Sequence, residues 1–416
     1  MSPCRAGIAA GALALTLCGP AFAGDGSDFA NNALTGPEAE CTYCVPNPPD
    51  EVGPPFQFDW SVGLRGGVRD DGSGEGPIYE VVALPEVSLQ QETIRGGYNF
   101  GISGEISQKL DGDPRLGSVT ATAGGSYALD EQTTLEGKID LTLSQDDPED
   151  TDQPVNVATA PLEISGNAEA SVRRDFGPVL ISLRGSAGRD VVGETTYDDD
   201  TASSNDYQNT TTWGAGARLG YRLAPGLMAF IDGEAVAEQY DIASPTLLVK
   251  LDNTTYATRT GLTFRPSEVL ELEGSVGWGY RDFVDSTLDD FSAMLYGAKA
   301  EFSPSETLAL TGELTTVISS PGTTSGATAK LTYTAEGTLA YQLNPWLRLR
   351  ASADWSTASY EDIDTKESKW GVGLGADYLL NEHTDLTADY GFERSETTPE
   401  PATDEHQVLV GVRFHR

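Results

Sequence analysis

The chain has 416 residues, with 64 acidic and 26 basic side chains, a formal net charge of −38, 46 glycines and only 38 % hydrophobic residues. A charge of that sign and size repels nucleic-acid phosphates and excludes DNA or RNA as a partner. The low apolar fraction excludes a helical membrane protein and a large oily core, so hydrophobic periodicity has to carry the fold assignment.

Arg5 precedes the apolar run Ala6 to Cys18, and Ala21-Phe22-Ala23 places small residues where a signal peptidase reads, so residues 1–23 are expected to be a secretory signal peptide. Leu17 stands where a lipobox needs a small residue, which argues against lipidation at Cys18. No later stretch offers about 18 consecutive apolar residues, so no membrane-spanning helix is expected. Residues 24–55 are rich in Asn, Pro, Gly and acids without an apolar period and read as an irregular periplasmic extension. Within it, Cys41 and Cys44 are expected to form a local disulfide in an oxidising compartment. Val45 occupies the position where haem attachment needs a His, and no His lies nearby to complete a zinc site, so neither cofactor nor metal is expected.

At Phe58, Trp60, Val62 and Leu64 a period of two begins, alternating with Asp59, Ser61, Gly63 and Arg65. After a Gly- and Asp-rich break at Asp70 to Gly76, the run from Tyr79 to Leu89 is less regular and contains Pro85, making it the weakest strand signal of the chain. Ile94, Gly96, Tyr98, Phe100, Ile102, Gly104 and Ile106 share the next apolar face, followed by Val119 to Leu129 and Leu135 to Leu143. The clearest stretch runs from Leu331 to Trp355: Tyr333, Ala335, Leu339 and Tyr341 alternate with Thr334, Glu336, Thr338 and Gln342. Asn344-Pro345 then turns the chain into Leu347, Leu349, Ala351 and Trp355.

Short turns are predicted at Asp130 to Thr134, Asp175 to Pro178, Ala224 to Gly226, Pro266 to Glu268, Pro304 to Glu306, Asn344-Pro345 and Asn381 to Thr384. Between them lie longer polar segments: Gln145 to Asn156, Asp190 to Asn209, Asp241 to Thr255, Asp282 to Asp290, Ser319 to Gly326, Ser356 to Glu367 and Arg394 to Glu405. Strict alternation puts all short turns at one end of a sheet. With strands longer than the roughly 9 to 11 residues that cross a bilayer, this predicts an all-β fold: a transmembrane antiparallel β-barrel over residues 56–414. About eighteen strands are expected, or sixteen if the Tyr79 to Ile106 region forms fewer, with short periplasmic turns, long acidic extracellular loops and both termini periplasmic. Tyr127, Tyr221, Phe264, Phe302, Tyr341 and Tyr378 fall just before short turns, while Trp213, Trp278, Tyr280, Trp355, Trp370 and Phe392 fall toward the long loops, as two interfacial girdles require.

The face away from lipid carries the charges. By period it holds Glu105, Lys138, Asp140, Glu163, Glu169, Arg184, Arg218 and Arg222 in the first half, then Asp232, Glu234, Glu271, Glu273, Arg281 and Glu313. Glu336, Arg348, Arg350, Asp354, Asp377, Asp389 and Arg413 follow, and all are candidates to line a lumen. Gly214, Gly216 and Gly220, and Gly371, Gly373 and Gly375, share that face and read as small water-facing residues. Only His383, His406 and His415 are present, none beside an evident nucleophile on a strand face, so no enzyme is expected. The acid runs Asp146 to Asp152 and Asp198 to Asp200 follow no calcium-loop spacing, and divalent bridging to lipopolysaccharide is their expected benefit.

Val408, Val410, Val412 and Phe414 form a last apolar stripe ending in an aromatic, similar to the signal read by the barrel-assembly machinery, although His415 and Arg416 follow it. Hairpins of the form aromatic, Pro-containing turn, spaced leucines recur at Tyr221 to Leu227, Phe264 to Leu272, Phe302 to Leu310 and Tyr341 to Leu347. In these the chain resembles the proteobacterial outer-membrane beta-barrel porin family of the beta-barrel porin type 2 kind. That resemblance implies a barrel in a Gram-negative outer membrane, and a link to exopolysaccharide export. The reading of the residues themselves leaves two expectations open: a channel for passive or weakly cation-selective passage of small solutes, or an exopolysaccharide-associated or structural surface barrel without general porin activity.

Overall fold

The computed structural model describes residues 56–416 apart from 71, 73–75, 111, 113, 146–156, 321–325 and 399–401. The expected signal peptide, the 24–55 extension with Cys41 and Cys44, and the acid run from Asp146 to Asp152 lie outside the described residues.

The strands are β1 (Gln57–Asp70), β2 (Ile78–Thr93), β3 (Gly96–Lys109), β4 (Arg115–Asp130), β5 (Thr133–Gln145), β6 (Val157–Thr159), β7 (Leu162–Asp175), β8 (Val179–Val192), β9 (Thr195–Tyr197), β10 (Ala202–Ser203) and β11 (Thr210–Ala224). They continue with β12 (Leu227–Tyr240), β13 (Asn253–Ser267), β14 (Leu270–Phe283), β15 (Phe291–Ser305), β16 (Leu308–Ser319), β17 (Lys330–Asn344), β18 (Leu347–Tyr360), β19 (Lys366–Asn381), β20 (Thr384–Thr397) and β21 (Thr403–His415). The short strands β6, β9 and β10 form a small sheet at the long-connection end. The other strands form one 18-stranded sheet in which each pairs antiparallel with its neighbours, and β21 closes onto β1 from Ser61 opposite His415 to Asp70 opposite His406. Closure removes the sheet edge, which no open sheet can do in lipid. Eighteen strands, and not sixteen, follow because Tyr79 to Leu89 is a full strand. Pro85 is accommodated by a gap in the β2–β3 ladder between Ala83–Ile106 and Glu86–Ser103, where no proline N–H is needed.

Large apolar side chains stand outward and exposed on every part of the wall, Ile139 on β5, Leu374 on β19 and Val410 on β21 among them, and both aromatic levels are on this outer face. The described residues bury only small apolar clusters, one of Tyr240, Leu251 and Phe283 at the long-connection end and one of Ala293, Leu295 and Ile318. Hydrocarbon outside, and not an oily interior, is therefore the apolar partner of this sheet.

Short turns follow a shared local logic. Asp130, Asp175, Asn344 and Asn381 each accept a hydrogen bond at their Oδ1 from the backbone N–H two residues on, at 2.8–3.0 Å, the Asx device that closes a tight turn. Gly226 takes φ of +75°, and a Cβ there would collide with the Arg265 carbonyl, so glycine is required. Two turns fall two residues later than the prolines suggested: β13 runs through Pro266 to Ser267 and β15 through Pro304 to Ser305. Both prolines sit in register shifts, Phe264 to Ser267 and Phe302 to Ser305, where the bulge leaves the missing N–H without consequence. Several long connections are shorter than their polarity suggested, because β18 extends to Tyr360 and β20 to Thr397. A polar strand above the lipid belt still pairs its backbone.

Candidate functional site in the barrel lumen

The face opposite the apolar one carries the charges from Glu105 on β3 to Arg413 on β21. Their ladder partners gather them into separate groups along the wall, and not into one pocket.

The first group spans β3 to β14. Arg184 donates two hydrogen bonds to Asp232, at 2.8 and 3.0 Å, and a third to Glu234 at 3.3 Å. Arg218 donates to Glu273 at 2.7 Å while its guanidinium lies 3.6 Å from the Phe230 ring centroid, so the cation is held by a charge and by a π face together. Lys138 is opposite Glu169 and within 3.3 Å of Asp140. Arg222 pairs with Asp175 at the short-turn end, and Arg281 with Glu238 near the long connections. Glu271 lies 3.5 Å from Arg265, Glu163 is opposite Ser144 on β5, and Glu105 is buried near Gly117.

The second group is a continuous row across five strands: Glu273, Lys299, Glu313, Glu336 and Asp354 stand directly opposite one another in successive ladders. Three carboxylates side by side repel one another, and like charges in opposite positions weaken a sheet. Lys299 at one end turns to Glu301 at 2.7 Å, and Lys369 at the other pairs with Glu393 at 2.7 Å. The row does not gather into a metal cluster, and no such group of acids, His or Cys occurs among the described residues.

The third group lies near the short-turn end of β18 to β21 and β1. Arg350 bonds Asp377 at 2.9 Å and Asp389 at 2.7 Å, Arg65 lies 3.3 Å from Asp389, and Arg413 bonds Asp385 at 2.7 Å, with Arg348 opposite Asp377. His415, half-buried at the tail of β21, lies 3.3 Å from Asp385. Arg65, Arg259, Lys299, Lys369 and Asp385 are further members of the inner face, beyond the lumen candidates named from the sequence. Their parity would have shown them: Arg259, for instance, alternates with Thr258 and Thr260, which face outward.

The inner glycines act as seats. A Cβ at Gly216 would stand 2.7 Å from the Arg184 guanidinium, one at Gly375 2.7 Å from the Asp389 carboxylate, and one at Gly371 2.8 Å from that of Asp354. Long side chains thus cross a strand that has no side chain of its own at that level.

The wall is uneven at one seam. The β15–β16 ladder covers only Ala298–Leu314 to Ser305–Leu308, leaving Phe291 to Gly297 unpaired with β16. Above it β16 passes over the lumen side of β13 to β15. Thr316 is 1 % exposed, its carbonyl accepts from Arg259 at 3.3 Å and its Oγ1 from the Tyr296 N–H at 3.1 Å. Ile318 packs on Ala293 and Leu295, and Ser320 bridges Arg281 and Glu238 at 2.9 and 2.8 Å.

A closed barrel with an apolar belt, two aromatic rims and a charged interior is the architecture of an outer-membrane porin. The chain belongs to the family described as "Putative beta-barrel porin 2", which it matches over residues 74–416. Among solved structures it is similar to OccK1 (OpdK) of Pseudomonas aeruginosa, with 11 % identity, a TM-score of 0.44, and coverage of 86 % of this chain and 99 % of that chain. It is also similar to OccK3 (OpdO) of the same organism, with 15 % identity, a TM-score of 0.41, and 86 % and 95 % coverage. The FrpB iron transporter of Neisseria meningitidis matches with 10 % identity and a TM-score of 0.45, over 82 % of this chain and 63 % of that chain. No curated protein matches the sequence.

Proposed function

We propose that this barrel is a passive, weakly cation-selective channel for small polar solutes. The observation that carries the reading is the acid row Glu313, Glu336 and Asp354 on the inner face. Setting three carboxylates opposite one another costs stability that a mobile cation offsets as it passes, and a fixed negative belt raises local cation concentration. Eighteen strands fall in the size range in which a barrel lumen holds water. On this reading the short turns and both chain ends face the periplasm, and the long connections face outward, where their acids meet divalent cations and lipopolysaccharide. The stripe of Val408, Val410, Val412 and Phe414, outward on the last strand, is what the assembly machinery would engage. Planar-bilayer recording of the purified protein across a KCl gradient tests the proposal. The expected result is discrete conductance with a reversal potential of cation-selective sign, and either a silent bilayer or an anion-selective sign would overturn it.

A further inference from the structure

We infer that the β15–β16 seam is a two-position gate on the lumen, overlapped in this structure and zipped into the barrel wall in a wider state. The inference rests on the channel reading for its consequence, but on the seam alone for its two positions.

The alternation of β16 serves both arrangements. Leu310, Gly312, Leu314, Thr316 and Ile318 have one parity, and where the ladder is intact that parity faces lipid, with Leu310 41 % exposed. Beyond Leu314 the same face lies instead against the inner side of the barrel, and Ile318 comes so close to Gly279 that a Cβ there would stand 2.6 Å from its Cδ1. Continuing the register of Ala298 with Leu314 would set Tyr296 opposite Thr316 and Met294 opposite Ile318. Tyr296 and Met294 are already exposed on the outer face, so zipping would return Ile318 to the side for which its strand is patterned, with no register slip.

What holds each position differs in kind. The overlap is held by apolar contact and by the bonds of Arg259, Arg281, Tyr296 and Glu238 to Thr316 and Ser320. It leaves backbone groups of β15 without a ladder partner at membrane depth, where unpaired N–H and C=O are costly. Zipping exchanges the side-chain bonds for ladder bonds, and such an exchange between two discrete packings is what makes an element bistable. Stacked sheet layers stand about 10 Å apart, so clearing β16 from the inner wall widens the mouth by about that much along one radius.

Two cysteine pairs, built in a Cys41→Ser, Cys44→Ser background, test the gate. Leu295→Cys with Ile318→Cys joins residues packed together in the overlap, and Met294→Cys with Ile318→Cys joins residues that meet only when zipped. The expectation is that both pairs cross-link on oxidation in native membranes. In single-channel recordings the first lock is expected to remove the higher conductance level and the second the lower, each restored by reduction. The single variant Ile318→Cys adds an independent readout, since a bilayer-confined maleimide labels it only if the residue reaches the lipid face. The gate is overturned if the zipped pair never forms while the overlapped pair forms to completion, if the overlapped pair itself fails to form, or if the locks leave the conductance levels unchanged. Silent bilayers with both cross-links forming would sink the channel reading and leave the two positions standing.

Discussion

Arg184 on β8 reaches Asp232 on β12 by lying across Gly216 of the intervening strand β11. Both side chains are about nine-tenths buried, 8 and 10 % exposed, and Glu234 is the third member at 3.3 Å. A cation holding two buried acids cannot be removed without leaving them uncompensated. Arg184→Ala is therefore expected to destabilise the barrel by about 3–5 kcal/mol. Gly216→Val should act through the same bond, because its side chain would occupy the space of the guanidinium, and should weaken the barrel by a smaller amount. Arg184→Lys keeps the charge and loses the fork, so it is expected between wild type and Arg184→Ala. Urea titration followed by the heat-dependent gel shift of folded barrel reads all three, and an unchanged midpoint for Arg184→Ala would show that water, and not Arg184, compensates the acids.

That relationship also shows where legibility in the sequence ends. A period of two, Asx residues at tight turns and two aromatic levels sufficed to read the barrel, because each is a local consequence of one strand meeting lipid on one side. Parity likewise placed Arg184, Asp232 and Gly216 on one face. It could not show that Arg184 skips β11 to find its partner, since that depends on which strands neighbour one another and on how far a guanidinium reaches over a glycine. The seam was hidden for a related reason: Thr316 and Ile318 continue the lipid-facing pattern of β16 while lying inside. Pattern reports what a residue suits, and here it suits two places.

The acid row predicts selectivity more directly than stability. Glu336 faces Glu313 on one side and Asp354 on the other, so neutralising it removes the centre of the negative belt. Glu336→Gln is expected to bring the reversal potential in a KCl gradient toward zero, and the change should shrink as ionic strength rises and the Debye length falls to a few ångströms. It should also leave stability equal or slightly improved, because like-charge repulsion is relieved. A variant with undiminished cation preference would move selectivity to another part of the wall.

Outside the membrane belt, Asp241 anchors the connection after β12. Arg189 donates to it at 2.8 Å, and that hydrogen bond holds the Asp241 carboxyl below the ordinary carboxylate range. A depressed folded-state pKa means the ion pair contributes above the unfolded value of about 3.9 and is lost as pH falls through the lower folded value. Hydrogen exchange of residues 241–252 is thus expected to be flat from pH 7 to about 5, after correction for intrinsic rates, and to accelerate only below about pH 4. Arg189→Ala should give the fast exchange already at neutral pH. If the two proteins exchange alike at pH 7, the pair does not anchor the loop.

The inside-out character of the sheet itself can be tested by one residue on each face. Val410 lies midway along β21, outward and 57 % exposed, while Gly391 on the adjacent β20 has inward parity, opposite Gln407, and a Cβ there would meet nothing within 4 Å. A lysine at Val410 would put an ammonium near the middle of the hydrocarbon belt, at about 2–4 kcal/mol by the depth dependence of basic residues on barrels. The same lysine at Gly391 would enter water beside Glu393 on the same strand face, and should cost less than about 1 kcal/mol, because glycine is itself a poor strand residue. Val410→Lys and Gly391→Lys, refolded into the same lipid vesicles and unfolded in urea, should therefore separate by at least about 1 kcal/mol, or about fivefold in the folding equilibrium constant. Equal losses, or a greater loss at Gly391, would mean that hydrocarbon does not lie outside this wall.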